Sequence, residues 1–189
     1  MKKNLVTAFL MTIATTILLG VVYPLIVTGL AQLIFPRKAN GQLIEANGKV
    51  IGSRIIGQAF TGPGYFHPRP SAVSYDPTNS NGSQLGPTNQ KLIDRVKGDV
   101  DKLQAENPNR PVPVDLATAS ASGFDPHITP AAAEFQVPRV AAERKAQESD
   151  IRKLVSDHTE GRTWGLLGEP RVNVLELNLA LDAKYGSKK

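Results

Sequence analysis

Residues 5–35 read LVTAFLMTIATTILLGVVYPLIVTGLAQLIF and contain no charged side chain over 31 residues. Crossing a bilayer takes roughly 20 apolar residues. As one α-helix this run would measure about 46 Å, longer than the ~30 Å hydrocarbon core, so it must tilt, kink at Pro24 or protrude. The apolar core of a cleaved signal peptide is only about 7–15 residues long and ends in a small-residue cleavage site. This run is longer and ends in Phe35-Pro36-Arg37-Lys38, so it reads as an uncleaved anchor in the lipid bilayer. Lys2, Lys3 and the amino terminus flank one end, Arg37 and Lys38 the other. The excess of a single positive charge favours a cytoplasmic N terminus. Ala8, Thr12, Thr16 and Gly20 recur every fourth residue. Such a small-residue face lets a partner helix approach closely.

The rest of the 189-residue chain is long enough for one domain with its own core. The reading is α+β: a transmembrane segment over residues 1–36, then one mixed extracytoplasmic domain over 37–189. Asn47-Gly48 between apolar runs signals a hairpin, with strands near 42–46 and 49–57. A helix follows Thr88, its expected N-cap, with Leu92, Val96, Val100 and Leu103 as its stripe. Thr129-Pro130 opens another helix, which Pro138 is expected to end or kink. Ser149 is placed to cap a helix carrying Ile151, Leu154, Val155 and His158. Asn173 and Glu176 form a capping-box-like pair before the last helix, which runs to about Lys184.

Composition narrows the function. The net charge of +5 is scattered, with no basic stripe interleaved with aromatics, so no nucleic-acid partner is expected. There are no cysteines, hence no disulfide, thiolate metal site or cysteine nucleophile. The three histidines, His67, His127 and His158, have no local metal-ligand spacing, and neither GxSxG nor a phosphate-binding GxxxxGK[ST] occurs. No catalytic residue, metal or bound cofactor is predicted. What stands out is residues 65–89, YFHPRPSAVSYDPTNSNGSQLGPTN, a loop stiffened by prolines. A pre-ordered loop binds at lower entropic cost. Tyr65, Phe66, His67 and Arg69 are candidate interface residues, together with Asp125, His127, Arg139 and Arg171. The alternatives are that Tyr65 and Phe66 are core, or that His67, Arg69, Asp125 and His127 serve a membrane-anchored extracytoplasmic enzyme or ligand-binding module.

Several segments, in order, resemble a known family. YPLIVTGLAQLIFPRKANGQLI, IGSRIIGQAF, YFHPRPSA, NGSQLGPTN, DLATASASGFDPHITPAAAEFQVPRVA and HTEGRTWGLLGEPRVNVLELNLAL are similar to the C subunit of the Kdp potassium-transporting P-type ATPase. The likeness spans Tyr23 to Leu181, with Phe124 standing where a leucine is expected. It implies a non-catalytic subunit of a high-affinity potassium uptake pump in the cell inner membrane, with its N terminus inside and its domain outside. It also implies three partners: a channel-like potassium-binding subunit, a P-type ATPase subunit and a very small single-span subunit. The family's C subunit is described as a catalytic chaperone that raises the ATP affinity of the ATPase subunit, which implies ATP through that subunit, with direct contact between this chain and ATP as the family-level alternative.

Overall fold

The computed structural model describes residues 1–46 and 48–187. The chain forms two compact units, Met1–Ile51 and Gly52–Lys189.

The first unit is dominated by one apolar helical run, Lys2–Ile34. It comprises α1 (Lys2–Ile17), a π-helical turn (Leu18–Val22) and α2 (Tyr23–Ile34). None of these residues is buried by the rest of the chain, so the run is a membrane-spanning helix rather than a core helix of a soluble fold. The wide turn has a local cause. Pro24 has no N–H, so the carbonyl of Gly20 loses its donor four residues on. The neighbouring Tyr23 N–H donates instead to Leu18 O, a five-residue π bond. The expected accommodation at Pro24 is thus a π-turn. After α2, Phe35 breaks the helix and α3 (Pro36–Ala39) follows. Gln32 and Asn40 exchange reciprocal side-chain bonds of 3.1 and 3.2 Å across this break, satisfying two polar amides at the end of the apolar run. β1 (Leu43–Ala46) pairs with β2 (Lys49–Ser53). Gly48 adopts φ +72° in their connection, and Asn47 lies outside the described residues.

β2 stops at Ser53, short of the expected residue 57. Ser53 Oγ accepts from Ile55 N–H, and the Gly57 N–H donates across to Phe124 O at 2.8 Å. A Cβ on Gly57 would stand 2.5 Å from Asp125 O, so only glycine permits this approach. Next come an irregular segment and α4 (Gln90–Glu106), α5 (Val114–Ala117), β3 (His127–Ile128), α6 (Pro130–Arg144), α7 (Glu148–Asp157), β4 (Thr159–Glu160), β5 (Arg171–Asn173) and α8 (Val174–Tyr185). β5 lies between β3 and β4, antiparallel to both, with Val172 opposite Ile128 and Thr159.

The core is made where α6, α7 and α8 pack with this small sheet. Phe66, Ile128, Phe135, Val137, Val140, Ile151, Val172, Leu177 and Leu181 are among its buried members. Thr129 caps α6 as its sequence predicts, accepting from Ala132 N–H at 3.1 Å. Asn173 likewise caps α8, accepting from Glu176 N–H at 3.1 Å. Other expected helix boundaries shift. Asn89, not Thr88, caps α4, its Oδ1 accepting from Lys91 N–H. α7 starts after Gln147 with no side-chain cap, so Ser149 lies inside it. Pro138 neither ends nor splits α6, which runs on to Arg144. The fully buried Val137 and Val140 flank the proline, and this packing offsets the roughly 3 kcal/mol cost of an interior proline. Lys145 ends the helix in the left-handed region (φ 53°), where Ala146 N–H donates to Ala141 O.

Candidate functional site

The irregular segment from Gly62 to His67 is held by side chains, mainly from α6 and α8. Asn178, on the core face of α8, accepts from Phe66 N–H at 2.8 Å and donates to Phe66 O at 2.9 Å. Gln136, on α6, does the same for the next residue: it accepts from His67 N–H (2.8 Å) and donates to His67 O (3.1 Å). Two buried amides thereby replace the pairing a neighbouring strand would supply. Arg139 donates to Pro63 O, Tyr65 O and Gln136 Oε1. Arg144 donates to Gly64 O (2.7 Å) and Asp182 Oδ1 (2.8 Å), and lies over the Tyr65 ring at 4.6 Å. Tyr65 completes the cluster by donating to Asp182 Oδ2 at 2.9 Å.

The eight candidate interface residues consequently separate. Phe66 follows the core alternative: its side chain is 0% exposed and packs in the core. Tyr65 is tied into the Arg144–Asp182 cluster. Arg139 lies in a depression of about 210 Å³ with His67 and Lys102, its Nε 3.5 Å from Glu106. Burial, and then the nearby Arg139 charge, hold the His67 imidazole below its usual pKa. His67 Nε2 lies 3.0 Å from Gly62 O.

Arg69, Asp125, His127 and Arg171 do come together, around a second depression of about 150 Å³. Arg69 donates to Asp125 Oδ2 at 2.9 Å. The other oxygen, Oδ1, accepts from His127 N–H at 3.0 Å, the turn that Asp-Pro-His foreshadows. Tyr75 donates to Arg69 O at 2.7 Å. Burial, then the Asp125 charge, push its phenol up to about 12. His127 is held below its usual pKa by burial first and by Arg171 second, which favours the neutral imidazole. Arg171 pairs with Glu160, which also meets Arg54, and Arg54 reaches Glu176 at 2.9 Å. The remaining carboxylates of the rim are engaged too: Asp115 accepts from Thr129, and Glu169 takes both of its bonds from Arg162.

This is a cross-braced surface. Among the described residues no three histidines or carboxylates converge as they would around an ion. The sequence reading missed Gln136, Asn178 and Arg144. The available signal was a polar residue recurring on an apolar helix face, such as Asn178 four residues after Val174.

A single apolar span carrying an α+β domain, with an irregular segment braced into a rigid surface, defines a membrane-anchored protein of one span. The chain belongs to the KdpC family, described as "K+-transporting ATPase, c chain", whose pattern matches residues 5–183. It is 67% identical over 184 residues to the potassium-transporting ATPase KdpC subunit of Koribacter versatilis, covering 96% of this chain and 95% of that one. The KdpC subunit of Rhodopseudomonas palustris strain BisB18 is 57% identical over 197 residues, covering 97% and 99%. That of Methylobacterium nodulans is 52% identical over 200 residues, covering 98% and 100%. The chain is a membrane subunit of a potassium-transporting ATPase.

Proposed function

We propose that this subunit catalyses nothing itself, supports assembly of the pump and raises the ATP affinity of the P-type ATPase subunit. Its N terminus lies in the cytoplasm and its domain outside. The Arg69–Asp125–His127–Arg171 face docks on the outer side of the channel-like potassium-binding subunit. Ala8, Thr12, Thr16 and Gly20 form the face of the span that packs on the same complex, which includes the very small single-span subunit. The observation carrying this reading is the convergence of those four charged or polar residues on one partly exposed, pre-braced depression. Rigid surfaces lose little entropy on docking.

An outer domain cannot touch cytoplasmic ATP across ~30 Å of hydrocarbon. Its effect on ATP is therefore allosteric: it binds one state of the pump more tightly than another, and the difference appears as ATP affinity. The span is the second point of attachment. Within the helix, a Cβ on Gly20 would meet only Thr16 Cγ2 at 3.9 Å, an ordinary contact. Thr16→Leu with Gly20→Leu therefore leaves the helix intact and should reduce recovery of the complex from native membranes; full recovery would reject the packing face. His127→Ala with Arg171→Ala should raise the KM for ATP in potassium-stimulated hydrolysis. An unchanged KM would reject the docking face.

A further inference from the structure

Between β4 and β5 the chain makes a narrow hairpin whose tip is apolar and unsupported. Trp164 is 87% exposed, Leu166 80% and Leu167 57%. Three large apolar residues clustered at one exposed tip need a partner surface. The tip is also rigid. Thr163 N–H donates to Leu167 O (2.9 Å), and Leu167 N–H donates back to Thr163 O (3.0 Å). Just below, Arg162 grips both oxygens of Glu169 at 2.8 and 2.7 Å. Trp164 itself sits at φ 55°, followed by Gly165 at 75°. A bulky side chain in the left-handed region costs energy, and such conformations gather where function needs a side chain displayed.

We propose that this tip is a knob that seats in an apolar socket on the outer surface of the potassium-binding subunit. The inference rests on the docking reading above and deepens it. Two observations select a protein socket over lipid. The collar beneath the tip is electrically neutral, Arg162 with Glu169 and Arg171 with Glu160. It lacks the surplus of basic residues that draws a loop to anionic headgroups. The collar is also continuous with the docking face: Glu169, Pro170 and Arg171 line the same depression as Arg69, Asp125 and His127. Paired charges beneath an exposed tryptophan suit an interface hot spot, where a polar rim keeps water from the anchor.

Photo-cross-linking tests it in the assembled pump. The photoreactive p-benzoylphenylalanine is placed at position 164 of the full chain, and the complex is irradiated in native membranes. A cross-link to the potassium-binding subunit is expected. An adduct with lipid, with another subunit, or no adduct at all from an intact, active complex overturns the knob and leaves the docking face standing. Failure of the wild-type chain to co-purify with the pump overturns both. A second measurement needs no photochemistry: Trp164→Ala should weaken recovery of the complex about 30-fold, the loss typical of a ~2 kcal/mol hot spot. Trp164→Phe should restore most of it. Equal recovery of Trp164→Ala and wild type overturns the knob. The domain's melting temperature should not change in either variant, because the tip is outside the core.

Discussion

Asn178→Ala tests whether hydrogen bonds, rather than proline stiffness, hold the 62–67 segment. Asn178 is 1% exposed, and its amide meets both backbone polar groups of Phe66. Truncation leaves a buried N–H and a buried C=O unpaired. Each costs about 1–3 kcal/mol, so the variant should lose about 2–6 kcal/mol. That is a large share of the ~5–15 kcal/mol expected for a whole domain. The loss should be felt first locally, because the neighbouring His67 is still held by Gln136. Hydrogen exchange with mass-spectrometric readout on the detergent-solubilised full chain is the direct assay. With ~3 kcal/mol lost, protection of the Phe66 amide should fall roughly 100-fold. If Phe66 stays within about threefold of wild-type protection, the prolines and core packing hold the segment and the reasoning about the paired amides is wrong.

Arg144→Met should cost about 3–5 kcal/mol in thermal or denaturant unfolding, because the guanidinium has a fully buried side chain and its loss strands Asp182 and Gly64 O; a change below 1 kcal/mol would deny the cluster its bracing role. Gly57→Ala should destabilise the domain by about 1–3 kcal/mol, since its Cβ would lie 2.5 Å from Asp125 O. It should also reduce pump assembly by displacing Asp125 from Arg69, which co-purification would show. The domain should lose stability on acidification. His67 and His127 are both held below their usual pKa when folded, so the unfolded chain takes up protons first as pH falls through about 6.5. Their contribution is complete above that pH and is lost as pH falls towards the folded values. Melting temperatures between pH 7.5 and 5 should drop, and His67→Gln with His127→Gln should flatten the slope.

The anchor, the α+β class and the family likeness could all be read from the chain, because each rests on local or contiguous signals. An uncharged run of 31 residues has few physical fates. Thr129 and Asn173 act as caps because a cap is a contact within three residues. Grouping Arg69, Asp125, His127 and Arg171 as candidates was also possible from residue type, yet nothing in their spacing could say that they share one depression while His67 and Arg139 line another. Phe66 and Arg139 can be read from the sequence either as interface anchors or as inward-facing residues, and the choice depends on what α6 and α8 place beside them. Pro138 signals a helix end or a kink, and α6 runs on through it with buried neighbours on either side. The sequence by itself determined the elements whose causes lie within a turn or a span. Only the tertiary structure decided how the 62–67 segment is held. Most of its backbone bonds go to Gln136, Arg139, Arg144 and Asn178, dozens of residues away, and partners at that separation leave no periodicity to read.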